Sequence, residues 1–262
     1  MNQKENSKIR SLILDMDGVI WKDKTPLADL PLFFSELSDR GYGFVLATNN
    51  TTLSIEQFLD KFKSLGVVLG YSQVINSSLA TAQYLLDLYP DGGPIYVVGE
   101  IGLNKTLEDH GFFHDEDNVK AVVAGLDREL TYDMLKKASL HIQSGVPFIG
   151  TNPDPSLPTP EGLIPGTGTV LAALEAASGV KPVIIGKPAP ELYRLALKRL
   201  NTKPAETLVV GDRLETDITG GQELGCPVCV VLSGVASSED AHNWKPKPNY
   251  IIEDISELLH IL

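Results

Sequence analysis

The regular alternation of short β-branched runs with patterns of helical spacing limits the fold of this 262-residue chain more than any other feature. A buried strand is predicted at 11–15 (SLILD), a helix at 30–41, and a second strand at 43–49 (GFVLATN). Strands and helices that alternate in this way are typical of parallel strands joined by right-handed crossovers. The sequence therefore predicts an α/β fold built on a doubly wound parallel sheet.

The last third of the chain repeats the same pattern. Its predicted strands are 182–186 (PVIIG), 207–211 (TLVVG), 227–232 (PVCVVL) and 249–254 (NYIIED). A helix is predicted at 189–200 between the first two of these strands, and another at 214–225 in spite of the Gly-Gly pair inside it. The two ends of the chain are therefore predicted to have the same α/β character.

About a hundred residues between these parts form a second α/β unit by the same criteria. Strands are predicted at 94–99 (PIYVVG), 120–126 (KAVVAGL) and 146–151 (VPFIGT), with helical stretches between them. A stretch rich in Pro and Gly follows at 152–168. Periodicity alone leaves open whether this middle part is inserted into one sheet or forms a separate domain in series.

Composition excludes several classes of protein. The 22 Lys and Arg against 34 Asp and Glu give a net charge of −12, which argues against nucleic acid or an anionic membrane as the main partner. No apolar run reaches the roughly 18–20 residues that cross a bilayer, and residues 1–10 lack the pattern of a signal peptide. Two cysteines, Cys226 and Cys229, are too few for a disulfide framework and are expected to be buried thiols. We therefore expect a cytoplasmic protein.

Polar residues occur at the ends of four predicted strands, and the carboxyl ends of parallel strands are where ligands collect. These residues are Asp15 and Asp17 at the first strand, Thr48 and Asn49 at the second, Lys187 after 182–186, and Asp212 and Asp217 after 207–211. None of them comes from the middle part, so we predict that the outer parts share one sheet. The predicted domains are a core of 1–76 and 181–262 and an inserted unit of 77–180.

Carboxylates, a hydroxyl and an amine at one edge of a sheet suit phosphoryl transfer. A carboxylate that attacks a phosphomonoester is repelled by roughly 5 kcal/mol per unit charge, at about 3.3 Å and an effective dielectric of about 20. A divalent cation held by Asp15, Asp212 and a backbone carbonyl would offset this repulsion, and oxygen-only ligands favour Mg²⁺ over zinc. Lys187 and the Thr48 hydroxyl would bind the phosphoryl oxygens on which charge develops. One carboxylate of the Asp15 and Asp17 pair can act as nucleophile and the other as general acid and base.

Four short segments of the chain resemble the motifs of a known family. The segments DMDGVI (15–20), ATNN (47–50), GKP (186–188) and GDRLETDI (211–218) are together similar to the four motifs of the haloacid dehalogenase-like (HAD) hydrolase superfamily. The long insertion after the second motif and TNPD at 151–154 resemble its nitrophenylphosphatase or NagD-like branch, which carries a large α/β cap. The resemblance spans nearly the whole chain and implies a Rossmann-like HAD core with an inserted cap domain.

The resemblance also implies a role for each acidic motif residue. It makes Asp15 the nucleophile and Asp17 the general acid and base. It assigns Mg²⁺ to Asp15, the Asp17 backbone carbonyl and Asp212. Asp217 would orient the metal-bound waters or the motif lysine, and a purely structural role at a helix start is the alternative for it.

The remaining motif residues are implied to bind substrate. Phosphate is assigned to Thr48, the Asn49 backbone N–H and Lys187. Asn152 and Asp154 in TNPD are expected on a cap loop that faces the active site and contacts substrate, with a plain Pro-rich turn as the alternative.

The expected function is that of a Mg²⁺-dependent phosphatase with an aspartyl-phosphate intermediate. Its expected substrates are small organic phosphomonoesters of the nucleotide, sugar phosphate, phosphoglycolate, pyridoxal phosphate or p-nitrophenyl phosphate type. A phosphotransferase, a catalytically idle phosphate-binding protein and a signalling receiver are the alternatives, although a receiver has no use for a second Asp two residues after its acceptor. The physiological substrate is not encoded in a readable way, and a homodimer through the cap is expected from the resemblance.

Overall fold

The computed structural model describes residues 9–22, 25–159 and 161–262. The interpretation of the extreme N-terminus as lacking a signal peptide falls largely on residues 1–8, which lie outside the described residues. Within the described part of the chain, none of the helices combines the length and the apolar content needed to cross a bilayer.

Strands and helices alternate along most of the chain. In chain order the strands are β1 (Ser11–Leu14), β2 (Trp21–Lys22), β3 (Thr25–Pro26), β4 (Gly43–Thr48), β5 (Val74–Asn76), β6 (Gly93–Val98), β7 (Phe112–His114), β8 (Val122–Ala124), β9 (Phe148–Gly150), β10 (Ser156–Thr159), β11 (Gly162–Pro165), β12 (Val183–Ile184), β13 (Thr207–Gly211), β14 (Val228–Val231) and β15 (Tyr250–Ile252). The α-helices are α1 (Leu30–Asp39), α2 (Ile55–Ser64), α3 (Ser77–Leu88), α4 (Ile101–Glu108), α5 (Tyr132–Gln143), α6 (Thr167–Ser178), α7 (Pro190–Leu200), α8 (Thr219–Glu223), α9 (Ser238–Asn243) and α10 (Leu258–Ile261).

The chain divides into two units by its internal contacts. The first unit comprises Met1–Thr48, Leu59–Ile75 and Tyr193–Leu262, and the second comprises Asn49–Phe58 and Asn76–Leu192. One predicted domain boundary, after residue 76, lies next to the transition between the units at Ile75. The other, before residue 181, lies earlier in the chain than the transition at Leu192.

A six-stranded sheet forms the centre of the first unit, in the order β15-β14-β13-β1-β4-β5. β1 pairs in parallel with β4 on one side and with β13 on the other, and β14 and β15 extend the sheet in parallel. The chain thus builds the sheet outwards from β1 in both directions, and the strand order reverses there. In open α/β sheets the crevice outside such a reversal point is the usual ligand site. The predicted α/β fold with a parallel sheet is confirmed.

Helix α1 shows how the sequence pattern covers this sheet. Asp29 accepts a hydrogen bond from the backbone N–H of Leu32 at 3.2 Å and so begins the helix. The apolar residues lie three or four apart, which places them on one face. These buried residues are Leu30, Phe33, Phe34 and Leu37. The ring of Phe34 lies 4.9 Å from that of Phe44 on β4, so the helix packs directly on the sheet.

The second unit contains a five-stranded sheet in the order β12-β9-β8-β6-β7. Its pairs are parallel, and α5 and α6 pack on it through buried residues such as Ala138, Ile142, Val170 and Leu174. The Pro- and Gly-rich stretch contains an antiparallel ribbon, because β10 pairs with β11. Sequence patterns missed this ribbon, since its prolines conceal the alternation of a strand.

The strand expected at 182–186 does not join the sheet of the first unit, and that prediction is wrong. Only Val183–Ile184 is a strand, and it pairs in parallel with Ile149 and Gly150 of β9 in the second unit. Ile185 and Gly186 continue the contact by donating to Gly150 and Thr151. Local periodicity identifies an extended segment, but long-range packing selects its partner.

Candidate active site

Three polar residues lie at the carboxyl ends of the adjacent strands β1, β4 and β13 of the first unit. Asp15 directly follows β1, Thr48 ends β4, and Asp212 directly follows β13. The three residues are buried, with relative exposures of 8%, 3% and 2%. Parallel pairing in register brings these strand ends to the same edge of the sheet, as the sequence predicts.

A cluster of three buried carboxylates occupies this edge. Asp15, Asp212 and Asp217 each offer an oxygen, and these oxygens all lie within 4.8 Å of one another. Two unit charges at 4.8 Å repel by about 3.5 kcal/mol at an effective dielectric of about 20. Repulsion within the three pairs of carboxylates destabilises the fold unless a positive charge close to them compensates for it. Since carboxylate oxygens are the ligands of hard divalent cations, the donor set fits such a cation.

Main-chain groups hold Asp212 in this cluster. Its Oδ2 accepts a hydrogen bond from the backbone N–H of Val235 at 2.9 Å, and its backbone carbonyl accepts from Ala236 at 2.9 Å. A Cβ atom on Gly234 would overlap the Asp212 carboxylate, so the loop after β14 approaches it closely only because this position is glycine. This loop was not predicted from the sequence to take part in the site.

Asp217 enters the cluster through a π-helical turn, Leu214–Ile218, rather than through the regular helix predicted at 214–225. The backbone N–H of Arg213 donates to Asp217 Oδ2 at 3.2 Å, and the backbone N–H of Asp217 donates to the Arg213 carbonyl at 3.0 Å. A Cβ atom on Gly211 would overlap the Asp217 side chain. Single π turns are frequent at functional sites because they redirect one side chain. Asp217 is thus part of the carboxylate cluster itself.

Tyr193 supports this π turn from the beginning of the first unit's C-terminal segment. Its hydroxyl donates to the backbone carbonyls of Thr216 and Asp217 at 3.0 and 3.2 Å, and the residue is fully buried. Burial raises the pKa of Tyr193 well above its usual value, and the charges of Asp217 and Asp15 act in the same direction. The phenol therefore stays neutral and remains a donor. The role of Tyr193 was not predicted, since a tyrosine in an amphipathic helix resembles any core residue.

We expect Tyr193→Phe to lower the free energy of unfolding by about 1–3 kcal/mol, because two buried carbonyls lose the hydrogen bond from the phenol while the ring is kept. Urea denaturation in the presence of EDTA measures this effect without a contribution from metal. Tyr250→Phe is the matched control, since Tyr250 is 37% exposed on β15 and the same hydroxyl is removed there. Equal free energies for Tyr193→Phe and the unchanged protein would contradict the supporting role.

Asp17 differs from the other acidic residues because its side chain is exposed. Its Oδ1 accepts a hydrogen bond from the indole Nε1–H of Trp21 at 2.8 Å. Trp21 is 1% exposed, and its ring lies 4.9 Å from Phe62 and beneath the Lys61 ammonium at 3.6 Å. Gly18 has a φ of +85°, which allows the tight turn between the two partners. A buried ring therefore orients an exposed carboxylate, a contact that was not predicted from the sequence.

Four other candidate residues come together within the second unit. The side chain of Asn49 contacts the backbone of Lys187 and the carboxylate of Asp154, and the side chain of Asn152 contacts the backbone of Asn49. Lys187 is 4% exposed and Asn152 is 3% exposed. The structure thus joins the second motif, the TNPD segment and the motif lysine in one hydrogen-bonded group.

The two cysteines behave as expected. Both are buried free thiols in the first unit. Burial raises the pKa of Cys226 to about 11 and that of Cys229 to about 12. Both thiols are therefore protonated at neutral pH, which makes them poor nucleophiles and poor metal ligands.

Two family models match the chain. One, described as haloacid dehalogenase-like hydrolase, matches residues 12–113, and the other, described as HAD-hydrolase-like, matches residues 184–258. The first range includes the ends of β1 and β4, and the second includes Lys187 and the π turn. Both groups of motif residues thus lie inside the matched ranges.

Known proteins resemble the chain over almost its full length. It is 34% identical to the 5′-nucleotidase YutF of Bacillus subtilis over 248 residues, which cover 95% of this chain and 96% of the relative. Its structure is similar to that of a p-nitrophenyl phosphatase from Archaeoglobus fulgidus, with a TM-score of 0.91, 30% identity, and coverage of 97% of this chain and 100% of the other. It is also similar to that of NagD from E. coli K-12, with a TM-score of 0.88, 34% identity, and coverage of 95% and 98%.

Proposed function

We propose that this chain, which belongs to the haloacid dehalogenase-like hydrolase family, is a metal-dependent phosphatase that cleaves small organic phosphomonoesters through an aspartyl phosphate on Asp15. The observation that carries the proposal is the buried cluster of Asp15, Asp212 and Asp217 at the carboxyl edge of a parallel sheet. Similarity to a nucleotidase and to a p-nitrophenyl phosphatase supports phosphate-ester hydrolysis as the reaction class.

Mg²⁺ is the cation that we propose for the cluster. The donor atoms are carboxylate oxygens, with neither a thiolate nor an imidazole among them, and such sets favour Mg²⁺ over zinc. Asp15 and Asp212 would be direct ligands together with the Asp17 backbone carbonyl, and Asp217 would hold the coordination shell in place. When bound, the cation would supply the positive charge that lets a carboxylate approach a phosphate dianion.

The proposed reaction has two steps on Asp15. In the first, a carboxylate oxygen of Asp15 bonds to phosphorus while the bond between phosphorus and the alcohol oxygen breaks. Asp17 gives its proton to the departing oxygen. In the second, Asp17 takes a proton from water, the water oxygen bonds to phosphorus, and Asp15 is released as a carboxylate with inorganic phosphate as product. The hydrogen bond from Trp21 orients Asp17 in both steps.

Phosphate binding is proposed for Thr48, the Asn49 backbone N–H and Lys187. The hydroxyl of Thr48 ends β4 beside the strand that carries Asp15, and an ammonium and an N–H group complement an anion. These three roles are inferred from the family resemblance.

Ranking small phosphomonoesters by kcat/KM, with nucleotides, sugar phosphates and p-nitrophenyl phosphate in one panel, tests the proposed phosphatase function and identifies the preferred class of substrate. Absence of turnover for every member with Mg²⁺ present would refute it.

We also propose a cytoplasmic location and a homodimer formed through the inserted unit of 77–180. The location is supported by two free, unpaired thiols in the described structure. The dimer follows the resemblance alone. Light scattering on the purified protein measures its molar mass in solution, and the mass of a monomer would contradict the proposed dimer.

We expect Asp17→Asn to lower kcat/KM by about 10²–10⁴-fold for esters of alkyl alcohols, which leave only with a proton. The loss for p-nitrophenyl phosphate should be smaller, because p-nitrophenolate leaves without protonation. Asn can keep the acceptor for Trp21, so the turn is preserved. Rates of the two substrates with the same variant provide the comparison. Equal losses for both would exclude Asp17 as the acid.

A further inference from the structure

The carboxamide of Asn49 connects three separate segments of the second unit. Its Oδ1 accepts a hydrogen bond from the backbone N–H of Lys187 at 2.8 Å, and its Nδ2 donates to the Lys187 carbonyl at 2.9 Å. The same Nδ2 donates to Asp154 Oδ2 at 3.1 Å. Both hydrogens of the amide and one lone pair of its oxygen are therefore used, and the opposite orientation of the amide would set a donor against the Lys187 N–H.

These two bonds fix the main chain of Lys187 on both sides of its Cα atom. The direction in which a side chain leaves the backbone depends on φ and ψ, and both are constrained when N–H and C=O bind the same rigid amide. A Cβ atom on Gly186 would come within 2.5 Å of Asn49 Oδ1, so the preceding position must be glycine for this approach. Asn49 thus fixes the point from which the ammonium of Lys187 extends.

Asn49 is itself held by the TNPD segment. Its backbone carbonyl accepts from Asn152 Nδ2 at 2.8 Å and from Ser77 Oγ at 2.7 Å. Asp154 accepts from the Asn49 side chain and is tied to Asn152 through its own backbone N–H, at 3.2 Å to Asn152 Oδ1. The side-chain amide of Asn152 and the carboxylate of Asp154 each therefore make a hydrogen bond to Asn49.

We infer that Asn49 is a positioning residue that acts through Lys187, and that Asn152 and Asp154 hold Asn49 rather than select the substrate. This inference rests on the proposed function, in which Lys187 binds phosphate. The ammonium of Lys187 is buried, and it can bind a phosphoryl group without reorganisation only if its backbone is fixed beforehand. Charges that are pre-organised in this way stabilise a transition state most effectively. The TNPD segment then sets how firmly the lysine is held.

A double-mutant cycle on phosphate binding tests this inference. Asn49→Ala keeps the backbone N–H assigned to phosphate and removes only the carboxamide. In an otherwise unchanged protein with Mg²⁺, we expect it to weaken the binding of inorganic phosphate about tenfold in isothermal titration calorimetry. In the Lys187→Met background, the same substitution should weaken binding less than twofold, because the group that it positions is gone. Equal losses in both backgrounds would overturn the inference.

Asn104→Ala is the matched control for a general effect on the second unit. Asn104 is also half-buried there and donates through Nδ2 to two backbone carbonyls, those of Gly99 and Glu100, at 2.7 and 3.1 Å. It should lower the melting temperature to a similar extent while leaving phosphate affinity unchanged. If Asn104→Ala lowered phosphate affinity as much as Asn49→Ala does, the effect would be a general structural one and would contradict the positioning of Lys187 by Asn49.

The conservative variant Asp154→Asn separates positioning from substrate selection. An amide oxygen at this position can still accept from Asn49, so phosphate affinity should stay within twofold, whereas Asp154→Ala should weaken it. If Asp154→Ala instead changed the ranking of substrates and left phosphate affinity unchanged, Asp154 would be a substrate contact. That result would overturn the inference that Asp154 holds Asn49 rather than selects the substrate. Absence of phosphomonoester turnover in the unchanged protein would refute the proposed function and not the cycle, which is measured by binding.

Discussion

Replacing Asp15 with Asn is expected to lower kcat for p-nitrophenyl phosphate by at least about 10³-fold while the protein stays folded. An amide oxygen is too weak a nucleophile to form the acyl phosphate, and the proposed reaction has no second nucleophile. The fold should persist, because Asn has the same shape and because the bond from the Asp15 backbone N–H to the Val210 carbonyl is unchanged. Steady-state kinetics and circular dichroism on the same preparation measure the two effects.

Asp60→Asn is the control for this prediction, since it makes the same chemical change at an exposed position on α2. It should retain full activity. Acid quenching of the unchanged protein during turnover of labelled substrate should trap phosphate on the protein, and Asp15→Asn should trap none. Near-normal kcat in Asp15→Asn, or equal label in both proteins, would remove Asp15 from the nucleophile role.

Chelation of divalent cations is expected to have an effect of similar size. Excess EDTA should reduce turnover to background and added Mg²⁺ should restore it, because substrate would otherwise add its negative charge to three carboxylates within 4.8 Å of one another. Because Mg²⁺ would relieve the same repulsion, we expect it to stabilise the folded protein. Binding to the folded state alone adds about 2.7 kcal/mol to the free energy of unfolding when the concentration of Mg²⁺ is one hundred times its dissociation constant. Turnover and thermal unfolding with and without Mg²⁺ measure both effects.

The variant Asp212→Asn identifies the site of this metal effect. It removes one charge from the cluster but keeps an oxygen that can accept from Val235. In EDTA it should be at least as stable as the unchanged protein, and Mg²⁺ should shift its melting temperature much less. Full activity in EDTA, or an undiminished Mg²⁺ shift in Asp212→Asn, would place the metal elsewhere or exclude it.

Much of the core fold and of the candidate site's position could be predicted because the information is local. Strands β1, β4 and β13 appear as short buried runs, and Asp15, Thr48 and Asp212 end or directly follow them. Once these three strands are parallel, their carboxyl ends share one edge, so the motifs that follow them are already predicted to share a site. The class of chemistry follows from the residue types at that edge.

Contacts made by individual buried side chains could not be predicted in this way. Tyr193 reaches the π turn that carries Asp217, and the indole of Trp21 reaches Asp17 through a turn that required Gly18. In each case the sequence shows only an aromatic residue of the kind found in any core. What it does there depends on packing against neighbours that the local pattern does not specify.

The sequence by itself therefore determined the α/β class and the carboxyl-edge motifs, since each depends on residues a few positions apart, and it determined the acidic charge, which is a sum over the chain. The tertiary structure alone decided that Val183–Ile184 pairs with β9, that Asp217 joins the carboxylate cluster, and that Asn152 and Asp154 bind Asn49. The physical reason is that backbone periodicity is a local property. The choice of partner for a strand or a side chain is settled by burial and hydrogen bonding between segments far apart in the chain.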